Sequence, residues 1–167
     1  MIDIDYFKTV NDTRGHSAGD RVLEQMGNLL KSIFRPADHL VRWGGEEFLV
    51  IARHLPGDQA VQMAERVRQT VAEHVFEVEQ DACVRLSCSI GYAPYPPLAD
   101  APQAVNWLRL VDLADTCLYT AKSNGRNQHV GIVPGASAMT IEELETMLSD
   151  PPRLTPVPGI EVVRSTG

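Results

Sequence analysis

The chain has 167 residues, of which 44% are hydrophobic and 22% charged, and its formal net charge is −7. This length suits a single domain with its own core, and the acidic balance argues against general binding to DNA or RNA backbones. The sequence has no apolar run long enough to cross a membrane, and its three cysteines lie in apolar, periodic segments without metal-ligand spacing. We therefore expect a cytoplasmic protein whose cysteines are small, reduced core residues.

The first part of the chain predicts a strand, a loop and a helix. Residues 1–5 are typical of the end of a strand, and the polar stretch 8–19 predicts a loop. From Asp20 onward, apolar residues recur at helical spacing, which predicts an amphipathic helix. This helix should end near Arg35-Pro36, because proline cannot continue a helix.

A hairpin and a second helix should follow. Residues 39–43 and 46–51 are two runs rich in β-formers, and Gly44-Gly45 separates them. A Gly-Gly pair readily adopts the positive φ angles that two-residue hairpin turns need. After Gly57, small and apolar residues form one helical stripe that extends to Val71.

The next segment predicts a strand, a third helix and a final strand. Apolar and polar residues alternate over 84–90, as in a strand with one buried face. A proline-rich loop, 94–102, precedes a helix whose apolar stripe runs over 108–121 and stops at Asn124-Gly125. Residues 128–133 predict a last, edge strand.

These elements predict one α/β domain over residues 1–133, an α+β sandwich in which helices flank a mixed or antiparallel sheet. The tail, residues 134–167, has a different composition. Thr140 and Glu143 form a capping box for one short helix, and four prolines between positions 151 and 158 oppose regular structure. We expect this tail to be poorly packed and to carry no chemistry.

Two acidic clusters are candidate metal ligands. Asp3 and Asp5 stand at the strand end and share one face, whereas Glu46 and Glu47, as strand residues, would point to opposite faces. If the first strand lies beside the hairpin, Asp3 and one glutamate can meet. Such a pair suits a Mg²⁺ ion that holds phosphate oxygens, although each acid alone is more typical of a solvated surface.

The motif segments of the whole chain, taken together, indicate a particular protein family more specifically than either acidic cluster does. In chain order, it contains Asp3-Ile4-Asp5-Tyr6-Phe7-Lys8, Asn11-Asp12, Gly15-His16, Gly19-Asp20, Gly44-Gly45-Glu46-Glu47-Phe48, Ser89-Ile90-Gly91 and Ala121-Lys122-Ser123-Asn124-Gly125-Arg126-Asn127. From Met1 to about Val130, this order and spacing resemble the GGDEF family of diguanylate cyclases in its GGEEF variant. The resemblance implies a fold like the adenylyl-cyclase and polymerase-palm core, with the signature hairpin at the active edge.

The resemblance also implies a function, the condensation of two GTP into cyclic di-GMP with Mg²⁺ (or Mn²⁺), two ions per active site. The metal ligands would be Asp3, the main-chain carbonyl of Ile4, and Glu46. Glu47, the other acid of the signature, is assigned as the base that removes the 3′-hydroxyl proton. The choice between Glu46 and Glu47 for this role stays open.

Further residues match the family's GTP-binding positions. Asn11 and Asp20 correspond to the residues that read guanine, since a carboxylate accepts from the N1–H and amino groups and an amide donates to O6. His16 would lie near the ribose. Cations, main-chain N–H groups and the diglycine would meet the phosphates; they are Lys8, Lys122, Arg126, Tyr6, Phe7, Gly44 and Gly45. Taken singly, many of these are ordinary turn, cap or helix-end residues.

The resemblance implies partners as well. Each domain would bind one GTP, so two domains must meet antiparallel in an active homodimer. Arg35 and Asp38 match the family's RxxD inhibitory site, where cyclic di-GMP binds back, and Arg66 matches a second arginine contributed by a neighbouring domain. Family members usually carry upstream sensor domains, often membrane-bound, and begin with a helix and a DxLTxLxNR-type segment. This chain shows neither, so we expect an N-terminally truncated domain, the cytoplasmic output of a longer sensor.

Other functions stay open on the sequence alone. A catalytically inactive fragment could still bind GTP or cyclic di-GMP as a receptor through Arg35 and Asp38. A cyclase for another purine nucleotide is disfavoured by Asn11 and Asp20. Nucleic-acid binding is disfavoured by the net charge and by the lack of a basic face.

Overall fold

The computed structural model describes residues 1–79, 82–95, 106–134, 142 and 160–164. Four helices occur in these ranges: α1 (Phe7–Arg14), α2 (His16–Ile33), α3 (Gly57–Glu73) and α4 (Trp107–Ser123). The strands are β1 (Ile2–Ile4), β2 (His39–Gly44), β3 (Glu47–Ile51), β4 (Val75–Glu79), β5 (Ala82–Arg85), β6 (Cys88–Tyr92), β7 (His129–Pro134) and β8 (Ile160–Arg164). None of the helices in the described ranges has both the length and the apolar character needed to cross a bilayer.

The strands form one large sheet and one small hairpin. In the part of the chain that the structure describes, the large sheet has six strands in the order β2-β3-β1-β6-β7-β8, and β4 pairs with β5 separately. Among the described strands, only β6 and β7 are parallel neighbours, and α4 lies in the connection between them, as a parallel pair requires a crossover. The result is a mixed, mostly antiparallel sheet flanked by helices, which confirms the predicted fold class.

The two faces of β1 have different surroundings. Ile2 and Ile4 are buried in the main core with the apolar faces of α2 and α3. Met1 packs on the opposite side against Ala114 and Leu118 of α4. Because side chains alternate along a strand, Asp3 is directed to the α4 side.

Helix α4 lies directly on β6 at Gly91. A Cβ at this position would overlap the carbonyl oxygen of Ala114 and the main-chain nitrogen of Leu118. Glycine therefore permits the close approach of helix and strand. This packing brings the C-terminal end of α4 to the end of β1, where Lys122 meets Asp3.

A helix occupies residues 7–14, where the sequence predicts a loop. Phe7 and Val10 are the two buried residues of α1, which is too few for a helical period to be visible in the sequence. Gly15, with a φ of 81°, separates α1 from α2, which begins at His16 rather than at Asp20. Tertiary packing rather than a local pattern therefore stabilises α1.

The prediction of one continuous strand over 84–90 is wrong, because these residues contribute to two strands in different sheets. β5 ends at Arg85 and pairs with β4, which the sequence does not predict, and β6 begins at Cys88 in the large sheet. The β4–β5 hairpin packs on α2 through the buried Phe76 and Val78 of β4. Cys83 on β5 is exposed, contrary to the prediction, whereas the other two cysteines are buried.

The predicted edge strand near residues 128–133 has neighbours on both sides. β8 pairs antiparallel with β7, from Ile160 opposite Pro134 to Arg164 opposite Val130. This part of the tail therefore extends the sheet, because it supplies main-chain partners to an otherwise open edge. The predicted capping box of Thr140 and Glu143, and most of the predicted proline-rich loop, lie outside the described residues.

Candidate active site

An acidic site forms where β1 meets the β2–β3 hairpin. Asp3 and Glu47 are directly opposite each other in the antiparallel pairing of β1 with β3, so their side chains leave the same face of the sheet. The carbonyl of Glu46 accepts a 3.3 Å hydrogen bond from the Ile4 N–H. The strand-end aspartate and the hairpin glutamates are therefore neighbours in space.

The hairpin turn lies one residue later than the sequence predicts. β2 extends through Gly44, which pairs with Glu47, so the turn residues are Gly45 and Glu46. A register irregularity between Arg42 and Gly44 accommodates the shift, and Gly45 supplies a positive φ of 31°. Because Glu46 is a turn residue, the alternation of side chains along a strand does not apply to it. Its side chain therefore need not point to the opposite face of the sheet from that of Glu47.

Asp3 is a buried acid among other acids. It is 5% exposed, and its burial raises its pKa to about 6, an increase to which Glu46 and then Glu47 contribute. Lys122 opposes the rise in pKa, since its Nζ lies 2.6 Å from Oδ2 of Asp3. The resemblance assigns Lys122 to a phosphate, but here this ammonium is paired with the carboxylate.

Asp5 is separated from Asp3 in its surroundings, although the two are close in sequence. Asp5 is 1% exposed. Its carboxylate accepts hydrogen bonds from the hydroxyls of Ser87 and Ser89 and from the main-chain N–H of Asn127, at 2.6, 2.7 and 3.0 Å. A buried carboxylate that protein donors satisfy in this way anchors the scaffold. Asp5 is therefore placed to support the site rather than to join the Asp3 cluster.

The β1–α1 turn brings a cation and helix N–H groups beside the acids. Tyr6 has a φ of 58° and is exposed, and the Arg126 guanidinium lies 4.9 Å from the centre of its ring. Phe7 is buried at the start of α1, and Lys8 is exposed. No side chain in the described ranges caps this helix start, so its first main-chain N–H groups suit an anion.

The residues predicted to read guanine surround the corner between α1 and α2. A Cβ at Gly19 would overlap Oδ1 of Asn11, so the glycine makes room for this amide. His16 is the first residue of α2, and Asp20 follows one turn later; both are exposed. Gly15, with its positive φ, sets the angle of the corner.

The residues of the predicted inhibitory site meet at the end of α2. The Asp38 carboxylate accepts hydrogen bonds from the main-chain N–H groups of Arg35 and Arg53, at 2.9 and 3.0 Å. Arg66 reaches this end from α3, where its guanidinium donates to the Ile33 carbonyl at 3.4 Å. Arg35 is exposed. Asp38 therefore holds the turn through main-chain N–H groups, and the side chains of Arg35 and Arg66 lie beside it.

The donor set at β1 fits a hard divalent cation. Asp3 and Glu46 would supply carboxylate oxygens and Ile4 a main-chain carbonyl, and a cation would offset the burial and the neighbouring acids that together raise the pKa of Asp3. Among the described residues, no three His, Cys, Asp or Glu side chains lie together as a group that could hold a metal ion without further ligands. Mg²⁺ is commonly bound through one or two carboxylates together with substrate phosphates.

Arg68 is a part of this region that the sequence does not single out. Its Nη1 donates to Oδ1 of Asn127 at 3.0 Å, and its other nitrogens bind Glu65. Asn127 and Asp5 lie in the motif segments, so a signal for them exists. Arg68 lies in an ordinary amphipathic helix, where no local pattern distinguishes it.

Fold and site together correspond to a known family. Residues 1–128 match the family described as diguanylate cyclase, GGDEF domain, so the chain belongs to the GGDEF family. The general function of this family is the synthesis of cyclic di-GMP, and its cyclases are generally metal-dependent.

Individual members are similar to this chain. Diguanylate cyclase A of Treponema denticola is 40% identical over 128 residues, which are 77% of this chain and 33% of that protein. The active GGEEF domain of a diguanylate cyclase from Vibrio cholerae is 32% identical with a TM-score of 0.65, covering 75% of this chain and 76% of that chain. The GGDEF domain of DgcB from Caulobacter crescentus, solved in complex with c-di-GMP, is 28% identical with a TM-score of 0.65, covering 75% and 71%. The matched part of this chain covers only 26–34% of the length of three similar curated relatives.

Proposed function

We propose that this chain condenses two GTP molecules into cyclic di-GMP and two diphosphates as a homodimer. The observation that carries the proposal is the buried Asp3 beside the two hairpin glutamates, with its pKa raised to about 6. Acids held in this way are costly to the fold and are typical of functional sites. Family membership and the similar cyclases support the same chemistry.

The reaction requires a base near the 3′-hydroxyl. A bond forms between the 3′-oxygen of one GTP and the α-phosphorus of the other, and the bond from that phosphorus to diphosphate breaks. We assign the hydroxyl proton to Glu47, which is partly exposed at the start of β3. Its Oε2 lies 3.9 Å from the place where a Cβ would stand on Gly44. The glycine therefore lets a substrate approach the carboxylate without a side chain in between.

Asp3, the Ile4 carbonyl and Glu46 would hold two Mg²⁺ or Mn²⁺ ions. Bound ions of this kind neutralise phosphate charge and polarise phosphoryl oxygens. Asp3 is suited to bind a cation because its burial leaves its charge poorly hydrated. Lys122 stabilises the same charge from α4.

Separate groups would bind the two ends of GTP. Lys8, Arg126 and the first N–H groups of α1, at Tyr6 and Phe7, surround the turn where the triphosphate would lie, and Lys122 approaches it from α4. The diglycine, Gly44 and Gly45, allows the nucleotide to come close to the hairpin backbone. Asn11 and Asp20 would read the guanine edge, with His16 near the ribose.

A second copy of the chain is needed because the product is symmetric. Each active site would bring one GTP, and the two sites would face each other antiparallel so that each 3′-oxygen attacks the other α-phosphate in line. An upstream sensor domain, in a longer protein, would control this encounter.

Product feedback is the proposed role of Arg35, Asp38 and Arg66. Two arginines at one helix end suit the phosphates of a cyclic dinucleotide, because guanidinium groups bind phosphate oxygens in pairs. Asp38 holds the turn through two main-chain N–H groups, which keeps Arg35 in place.

Turnover of GTP by purified protein with Mg²⁺, followed by chromatography, tests the activity. Glu47→Gln should lower turnover by roughly 10²–10⁴-fold, while the affinity for 3′-deoxy-GTP, measured by calorimetry, is retained. Glu73→Gln, which changes an exposed acid at the end of α3, is the matched control and should turn over normally.

The outcomes separate the parts of this proposal. A folded wild-type protein that makes no cyclic di-GMP at high concentration contradicts the activity, and one that still binds cyclic di-GMP is the receptor alternative. Normal turnover by Glu47→Gln rejects only the assignment of the base. ATP in place of GTP should give no product.

For the feedback site, Arg35→Ala should weaken inhibition by added cyclic di-GMP at least tenfold. Arg109→Ala, an exposed arginine on α4, should not change it. Equal inhibition of the wild type and of Arg35→Ala would remove this site from consideration.

A further inference from the structure

The loop after α4 has an unusual backbone. Gly125, Arg126 and Asn127 follow one another with φ angles of 113°, 63° and 46°. The left-handed region is unfavourable for residues that carry a Cβ, although asparagine tolerates it better than most. Since local preference opposes this conformation, contacts with the rest of the molecule must hold the loop.

Two contacts hold Asn127 from different directions. Its main-chain N–H donates to Oδ2 of Asp5 at 3.0 Å. Its side-chain Oδ1 accepts from Nη1 of Arg68 at 3.0 Å. Asp5 is fixed in turn by two serine hydroxyls and is 1% exposed. The main chain and the side chain of one loop residue are therefore both tied to separate elements.

Arg68 is itself held in one orientation by its own helix. Its Nε and Nη2 donate to the two carboxylate oxygens of Glu65, at 2.8 and 2.7 Å. Gln69 donates to the same carboxylate at 2.7 Å. A bidentate pair fixes the plane of the guanidinium, and this leaves Nη1 directed at Asn127. The Glu65–Arg68 pair thus reaches beyond α3 to the loop.

The loop carries Arg126, whose guanidinium lies over the ring of Tyr6. Tyr6 follows Asp5 directly and also has a positive φ, of 58°. Asp5 and Asn127 therefore join the two strained turns from which Tyr6 and Arg126 project. A displacement of the loop would move Arg126 relative to the β1–α1 turn.

We propose that Glu65, Arg68, Asn127 and Asp5 form a positioning chain that fixes Arg126 and the β1–α1 turn for the triphosphate of GTP. This proposal rests on the proposed function of the site. Arg68 is a positioning residue, because it acts through Asn127 on the loop that carries Arg126 and has no place among the substrate contacts.

A double-mutant cycle tests the proposal through kinetics. Arg68→Ala should lower kcat/KM for GTP about tenfold, mostly through a higher KM, because the cation is no longer pre-organised. In the Arg126→Ala background, the same change should add less than about twofold, since its effect passes through Arg126. Arg68→Lys keeps the charge but loses the bidentate fork, so it should resemble the alanine variant.

Arg85→Ala is the matched control, because this arginine donates to the Glu73 carbonyl at 3.0 Å and lies on the β4–β5 hairpin. It should leave kcat/KM unchanged. Wild-type kinetics for Arg68→Ala, or fully additive losses in the cycle, would overturn the positioning role. If Arg68→Ala fails to fold, Asn127→Ala breaks the same contact from the loop side and leaves α3 intact.

Hydrogen exchange of the nucleotide-free protein gives a readout that does not depend on activity. In Arg68→Ala, the amides of Arg126 and Asn127 should exchange about tenfold faster, while those of the β2–β3 hairpin stay unchanged. Unchanged exchange at these two amides would show that Arg68 does not hold the loop. Faster exchange together with a wild type that makes no cyclic di-GMP would instead defeat only the proposed function.

Discussion

Replacing Asp3 by asparagine should stabilise the protein near neutral pH while it removes the proposed activity. Asp3 is 5% exposed, and its burial raises its pKa from 3.8 to about 6. Asparagine has nearly the same shape but no charge, so it avoids the cost of burying a carboxylate. The same change removes a carboxylate oxygen that a divalent cation would need.

The size of the gain follows from the pKa. A rise of about two units corresponds to roughly 3 kcal/mol of unfolding free energy, at about 1.4 kcal/mol per unit. Lys122 loses its partner in the variant, but its side chain is 29% exposed and can be hydrated, so we expect a net gain of about 1–3 kcal/mol. For a chain of this size, this is a rise in Tm of about 2–4 °C per kcal/mol.

The stability gained by Asp3→Asn should depend on pH. Because the pKa of Asp3 is raised in the folded state, the folded protein binds more protons than the unfolded chain between about pH 4 and pH 6. This group therefore makes the wild type less stable as pH rises through that window. The advantage of Asp3→Asn should be full above about pH 6 and should vanish near about pH 4.

Denaturant unfolding in metal-free buffer at several pH values measures this difference. Asp112→Asn, an exposed acid on α4, is the control and should show no gain that depends on pH. Added Mg²⁺ should raise the Tm of the wild type but not of Asp3→Asn. A variant less stable than wild type near neutral pH, or a gain equal at both ends of the pH window, would refute the reasoning.

Two glycine substitutions give further predictions. Gly19→Ala should displace the Asn11 amide and raise the KM for GTP roughly tenfold; a normal KM would separate Asn11 from substrate binding. Gly91→Ala should reduce the unfolding free energy by about 2–3 kcal/mol, because the new Cβ would meet main-chain atoms of α4. Gly27→Ala, where the nearest atom, of Phe48, is 4.0 Å from the new Cβ, is the control for both and should be neutral or slightly stabilising.

The sequence predicts the elements that have a strong period. Helices α2, α3 and α4 each bury a regular stripe, and α4 ends at Ser123, beside the predicted stop at Asn124. The sequence also predicts the hairpin, because two runs of β-formers flank a pair of glycines. The predicted turn is wrong by one residue, because the irregularity after Arg42 depends on pairing with β3 and not on local composition.

The missed elements are those that other parts of the chain stabilise. Helix α1 has a mostly polar sequence and depends on the burial of Phe7 and Val10. Strand β4 is held partly by Gln25, whose side-chain amide pairs with the main-chain N–H and carbonyl of Glu77. Such long-range partners leave no periodic signal in the segment itself.

The candidate site shows the same division. The acids and glycines stand in recognisable motif segments, so the sequence identifies them. Their pairing is a property of the fold: Lys122 lies 119 residues from Asp3, and Arg68 lies 59 residues from Asn127. Composition cannot reveal that Lys122 pairs with the Asp3 carboxylate or that Arg68 binds the loop after α4.

The bend at Gly15 gives the molecule two independently adjustable pieces. Residues proposed to select the base stand at that corner, whereas the acids proposed to carry out the transfer belong to β1 and the adjoining hairpin. A change in nucleobase preference would therefore require substitutions at Asn11 of α1 and Asp20 of α2, with the catalytic centre left untouched. Engineering for another purine could begin at this corner rather than among the carboxylates.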